Sequence, residues 1–165
     1  MESKIKEITL FAMLGVLMFA LKFAMASLPN IEPVTLLIMV YAHTFKNKAF
    51  YPVTIYVILE ILVYGFGLWT IGYCYIWFIL TAVSAWILPN IDNKWVTALI
   101  AENFGFLFGA LYIPVYLIAS GWESAFAWWI TGIPYDALHG MGNAAMILLL
   151  YKPLTKVFKE MYERY

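Results

Sequence analysis

Asp136, His139 and Asn143 are spaced three and then four residues apart, so a helix carries all three on one face. At 1.5 Å per residue the stripe is about 10 Å long. A carboxylate, an imidazole and an amide in that arrangement form either the polar wall of a ligand pocket or a set of interhelical hydrogen bonds. Gly140 and Gly142 flank the stripe and remove bulk from the helix surface. Gly132-Ile133-Pro134 reads as the opening of this helix, with Asp136 in its first turn, where a carboxylate suits the helix dipole. Glu60 stands alone in a second apolar stretch, and Lys22, near the end of the first, is its expected partner. That pair serves structure or ligand equally well. Glu102 and Asn103 share a third stretch, and Glu32 lies in a loop. Ionisable groups in such surroundings are expensive, so each needs a partner or a function.

The surroundings are apolar throughout. Of 165 residues, 64% are hydrophobic, 19% aromatic and 12% charged, with a mean hydropathy of +0.82. Soluble domains carry about 25% charged residues, so the composition points to an all-α integral membrane protein. It excludes a disordered chain and a nucleic-acid binder, which need high net charge or a basic patch. The lone Cys74 permits no internal disulfide and no thiolate metal cluster, and it reads as a packed membrane thiol among Tyr73, Tyr75 and Trp77. Lys4 and Lys6 precede an apolar run of full span length, read as an uncleaved first helix. There is no His-Glu-x-x-His, no Gly-x-Ser-x-Gly, no phosphate-binding glycine loop and no second histidine near His139. No enzyme activity, metal or cofactor is therefore expected, and any ATP hydrolysis falls to a partner.

Six spans can be cut: Ile8 to Ala26, Pro33 to Phe45, Phe50 to Phe66, Ile71 to Leu88, Trp95 to Ile118, and Pro134 to Tyr151, in a single transmembrane domain of residues 1–165. The cuts fall at Leu28-Pro29-Asn30, Lys46-Asn47-Lys48, Gly65-Phe66-Gly67, Leu88-Pro89-Asn90 and Ser120-Gly121. The second span is short for a helix that crosses hydrocarbon alone, and shielding by neighbours would accommodate it. Six spans put both termini on one side. That side collects Lys4, Lys6, Lys46, Lys48, Lys94, Lys152, Lys156, Lys159 and Arg164, leaving only Lys22 toward the other. Basic loops stay cytoplasmic, so both termini are expected inside and residues 27–32, 67–70 and 119–133 form outer loops. Tryptophans near the span ends suit interfacial belts.

Ala12, Val16, Ala20 and Ala24 recur every four residues on the first span beside Gly15, and Gly105-x-x-x-Gly109 follows Glu102. Small residues let helices approach closely, within the chain or between chains. The size and six-span layout with both ends inside, the alanine-rich first helix, the segment Leu28-Pro29-Asn30-Ile31-Glu32-Pro33, and the stretch Gly132 to Asn143 followed by Lys152-Pro153-Leu154 make the chain resemble the substrate-binding S components of energy-coupling factor (ECF) transporters. The first helix departs from the family's tidier alanine pattern at Met13, Leu14 and Val16. The resemblance implies an S-component-like six-helix bundle in a prokaryotic cytoplasmic membrane. It implies binding of a small vitamin-like substrate near the outer face. Docking would follow through Ala12, Val16, Ala20 and Ala24 on a transmembrane coupling subunit with two ATPase subunits, and toppling would then carry the substrate inward.

The expected substrate-binding residues are Asn30, Glu32, Glu60, Tyr64, Trp69, Trp77, Trp128, Tyr135, Asp136, His139 and Asn143, with Tyr73 and Trp129 nearby. Carboxylates among aromatic faces favour a neutral or cationic heteroaromatic ligand over a polyanion. The competing readings are a self-sufficient secondary transporter with Glu60 or Glu102 titrating, a membrane-embedded enzyme, and a structural membrane protein whose polar stripe is only interhelical glue.

Overall fold

A computed structural model describes residues 2–28 and 30–164; Pro29, one of the expected breakers, lies outside the described residues. The chain is helical as its composition requires, with no strand among the described residues. The helices are α1 (Glu2–Ala24), α2 (Val34–Phe45), α3 (Phe50–Tyr64), α4 (Leu68–Ile87), α5 (Lys94–Phe106), the single turn α6 (Phe108–Leu111) and α7 (Ile113–Glu163). Two stretches, Lys4–Ala24 and Leu68–Asn90, are long and apolar enough by themselves to cross a membrane, having 21 and 23 residues.

Local chemistry explains most of the ends. Gly65 adopts φ 83°, a conformation that favours glycine, and its N–H returns to the Ile61 carbonyl at 2.9 Å to close α3. The Thr70 hydroxyl oxygen accepts from the Gly67 N–H at 2.7 Å at the start of α4. Asn93 caps α5, its side-chain oxygen accepting from the Trp95 N–H at 2.9 Å. Gly121, at φ 80° and ψ 173°, breaks α7 into segments 113–120 and 122–163. Residues 119–133 are thus helical on both sides of one glycine, not the outer loop expected between the breakers Ser120-Gly121 and Gly132-Ile133-Pro134. Pro134 sits inside the second segment and does not open it. Asp136 therefore owes its place to a partner across the bundle, described below, and not to a helix start.

The short α2 lies at the centre, with Val34 through Ala42 all buried. It packs on α4 and α7, so neighbours surround the segment that is too short to cross hydrocarbon alone. The most extensive helix pairing is α5 with α7, followed by α1 with α3. Both are made by glycines. A Cβ on Gly105 would stand 2.5 Å from the Gly140 backbone, and one on Gly15 would stand 2.7 Å from Ile55 Cβ. Gly15 therefore turns toward α3, while Val16, Ala20 and Ala24 face outward and Ala12 is half-buried. Cys74 is exposed and donates to the Thr70 carbonyl at 3.3 Å, which corrects the expected packed thiol. Its neighbours Tyr73 and Trp77 occupy the inward face of α4, and the helical period turns residue 74 away from them.

Candidate functional site

The site grows from two aromatic stripes of four-residue period. Trp69, Tyr73 and Trp77 line one face of α4, with ring centroids 5.0 and 5.3 Å apart in edge-to-face contact. Phe104, Phe108, Tyr112 and Tyr116 repeat the spacing along the fifth stretch, and Trp77 meets Phe108 at 5.2 Å. The second stripe escaped the sequence reading, although four aromatics at intervals of four were its visible signal. Tyr112 lies over Gly72, where a Cβ has no room, and its hydroxyl donates to the Trp69 carbonyl at 2.7 Å. The stripes are thereby locked where α4 begins.

The fifth stretch is interrupted at Leu107 and Tyr112, which lie at φ −91° and φ −83° between helical segments. Such breaks free backbone groups that need partners. The Tyr75 hydroxyl donates to the Leu111 carbonyl. The Gly109 N–H points at Asp136 and lies 3.1 Å from each carboxylate oxygen. Only a glycine admits this approach, because a Cβ at residue 109 would collide with that carboxylate.

Between these stripes and α7 lies a cavity of about 380 Å³. Trp69 and Tyr73 of α4, Phe108, Gly109 and Tyr112 of the broken stretch, and Asn30 of the first loop form part of its wall. Trp128, Thr131, Gly132, Tyr135 and Asp136 of α7 complete it. Trp128 stacks on Tyr116 at 4.2 Å with 21° between the rings. Asp136 is the one ionisable carboxylate in this wall, and no lysine or arginine lines it.

Five of the residues expected to bind ligand thus share one cavity: Asn30, Trp69, Trp128, Tyr135 and Asp136. Trp77, His139 and Asn143 are buried without lining it. His139 packs edge-on to Phe108 at 4.8 Å, and its Nε2 is 3.5 Å from the Thr35 hydroxyl. Asn143 donates to the Ala101 carbonyl of α5 at 3.3 Å. The polar stripe therefore divides: Asp136 faces the cavity and α6, while Asn143 ties α7 to α5. Asn103, exposed, bonds the Leu99 carbonyl of its own helix at 2.7 Å.

Glu32 and Tyr64 line a second, smaller crevice of about 260 Å³, together with Lys22 and Asn30. Asn30 borders both spaces and adopts φ 55°. Lys22 meets its expected partner, with Nζ 2.7 Å from Glu60 Oε2, and also donates to the Tyr73 hydroxyl at 3.2 Å. Burial raises the Glu32 carboxyl to about 7, with the Lys22 ammonium opposing and the Glu60 carboxylate adding to the rise.

At the opposite end of the bundle, Lys48, Glu7 and Tyr162 join the turn after α2 to both terminal helices, the Tyr162 hydroxyl lying 3.0 Å from Lys48 Nζ and from Glu7 Oε1. His43 is nearby in the sequence, its Nδ1 2.8 Å from the Tyr151 hydroxyl and remote from His139. No group of three or more His, Cys, Asp or Glu suited to a metal exists among the described residues. The chain matches no protein-family model, no curated protein and no solved structure.

Proposed function

We propose that this chain is the substrate-specificity subunit of an ECF-type importer, spanning a prokaryotic cell membrane six times with both termini inside. Its task is to bind a small vitamin or vitamin precursor from outside and hand it to a transmembrane coupling subunit driven by two ATPase subunits. The observation that carries the reading is the cavity itself: aromatic walls, one carboxylate, no basic side chain. Such a lining suits a planar ring that is neutral or positively charged, because ring faces stack on planar ligands and attract cations. A polyanion would find no counter-charge there.

Four features support the membrane assignment. Two stretches are long and apolar enough to span alone. The shorter α2 is buried by its neighbours and needs no direct contact with hydrocarbon. The interruptions in the fifth stretch lie beside a cavity, and their freed groups find partners in Tyr75 and Asp136. Irregular backbone at membrane depth is tolerated only where protein buries it or a cavity solvates it. Nine of ten basic residues fall at one end of the six-span arrangement. The outward-facing Val16, Ala20 and Ala24 leave a smooth strip on α1 for the coupling subunit.

The test has two arms. Purified chain in detergent is analysed by mass spectrometry for a retained small molecule, then titrated with candidate vitamins while tryptophan fluorescence is read. A saturable response to heterocyclic or cationic vitamins is expected, and a response to an anionic vitamin alone refutes the ligand class. Co-expression with ECF coupling and ATPase subunits is expected to yield a complex. Uptake by the chain alone, with no complex, refutes the importer reading in favour of a self-sufficient carrier.

A further inference from the structure

Lys22 is held as a ligand is held. Its ammonium lies 4.9 Å from the ring centroid of Tyr73, 5.0 Å from Trp69, 5.7 Å from Tyr64 and 5.9 Å from Tyr56. All four distances fall within the range of about 6 Å at which a ring face attracts a cation. Glu60, fully buried, supplies the carboxylate at 2.7 Å. Four rings and a carboxylate converging on one ammonium are far more than an ion pair needs for stability alone. The cluster also has acceptors to spare. Glu60 Oε1 and the Tyr56 hydroxyl are buried within reach of one another and make no other hydrogen bond among the described residues. Glu32 lies within electrostatic reach of Lys22 and forms no hydrogen bond or ion pair among the described residues. Two carboxylates thus share one ammonium, and the lysine stem lines the crevice that opens beside them.

We propose that this aromatic cage is a binding site for a primary alkylammonium ion, and that Lys22 occupies it as an internal stand-in which an external ammonium displaces toward Glu32. The exchange adds one positive charge, which an ionised Glu32 balances; where Glu32 holds a proton, that proton leaves to solvent. The incoming cation pairs with Glu60, and Lys22 pairs with the carboxylate that now lacks a partner. The crevice lined by Lys22, Met25, Leu28, Glu32 and Tyr64 is the route in. Its apolar members suit a short alkyl chain, as they suit the lysine stem. The inference does not rest on the ligand assigned to the larger cavity; its main readout is the melting temperature, and Glu60→Gln, at a residue that does not line the larger cavity, separates the two sites where fluorescence is used.

Chemical rescue tests it. Lys22→Ala empties the cage and leaves Glu60 buried and unpaired, so its melting temperature in detergent is expected to fall. n-Butylammonium, which carries the missing stem and charge, is expected to restore the melting temperature saturably. n-Butanol and potassium chloride at equal concentration are not. The rescue should vanish in Lys22→Ala/Glu60→Gln. Wild type should respond only at about tenfold or higher concentration, since its own lysine must first leave. No rescue, or rescue equally by the alcohol, by the salt or in the double variant, overturns the proposal. If Lys22→Ala does not fold, Lys22→Met keeps the apolar stem and is titrated instead with methylammonium, which supplies the missing charge alone. The tryptophan fluorescence of wild type against Glu60→Gln then also decides: a saturable n-butylammonium response lost in Glu60→Gln supports the site, and its absence from wild type refutes it.

Discussion

Replacing Gly105 by alanine probes the spacing on which the cavity depends. The added Cβ would lie 2.5 Å from both Cα and N of Gly140 and 2.8 Å from the His139 carbonyl carbon. Non-bonded carbons settle at about 3.5–4.0 Å. Every opposing atom is backbone, so no rotamer change relieves the overlap, and α5 and α7 must part by roughly 1 Å. Overpacking of this kind costs about 1–3 kcal/mol. Alanine returns roughly 0.5–1 kcal/mol of helix preference over glycine, which leaves a net loss of up to about 2.5 kcal/mol. The displacement reaches the site, because Gly109 and Asp136 lie one turn from the crossing on the same two strands of chain. Their N–H···O distances of 3.1 Å are already near the long end of the hydrogen-bond range, and a further 1 Å or so breaks them. Gly105→Ala is therefore expected to lower the unfolding midpoint in detergent and weaken the ligand response together. Gly140→Ala acts at the same crossing, its Cβ falling 2.8 Å from the Glu102 carbonyl. One separation relieves both overlaps, so the double variant should lose less than the sum of the singles. Gly132→Ala is the control: nothing lies within 4 Å of its Cβ, and stability should hold or rise. Wild-type stability with an unchanged ligand titration in Gly105→Ala would refute the idea that this contact sets the site.

Asp136→Ala leaves the Gly109 N–H buried and unpaired, at a cost of about 1–3 kcal/mol; the midpoint should fall, and affinity for a cationic ring should drop by about tenfold or more. Tyr112→Phe removes the 2.7 Å bond to the Trp69 carbonyl and should cost about 1 kcal/mol in the same melt, with the ring still seated on Gly72. Glu32 carries a pH dependence of defined sign. Its folded carboxyl titrates near 7 against an ordinary 4.5, so below 4.5 both states hold the proton and the group is neutral to stability. As pH rises from 4.5 to about 7 the unfolded state ionises first and stability declines, levelling off above. Glu32→Gln should flatten melting temperature across that window, and an unchanged slope would assign the decline to another group.

Local spacing made part of the site legible. The three-then-four interval put Asp136, His139 and Asn143 on one face, and all three are buried in the bundle. Lys22 and Glu60, the isolated charges of two apolar stretches, do pair across 38 residues of chain. The break at Gly121 was visible as Ser120-Gly121, yet the helical stretch 122–133 was not, because Gly132-Ile133-Pro134 carries the signal of a helix start while the packed helix runs through it. The interruption at Leu107 left no sequence signal beyond the glycine pair around it, which serves close packing equally well.

Composition and periodicity alone determined that the chain is helical and apolar, where most helices stop, and which polar residues share a face. These properties reside within one turn or one cap, so neighbouring residues suffice to set them. Which way each face turns was decided only by tertiary structure. Gly15 sends one side of α1 against α3 and leaves Val16, Ala20 and Ala24 outside. The Gly105–Gly140 crossing brings Gly109 to Asp136, so one member of the polar stripe faces the cavity while Asn143 bonds Ala101. The cage around Lys22 draws Tyr56 and Glu60 from α3 and Trp69 and Tyr73 from α4 onto one ammonium of α1. Helix rotation and pairing depend on how whole surfaces fit, and no spacing within a single helix contains that information.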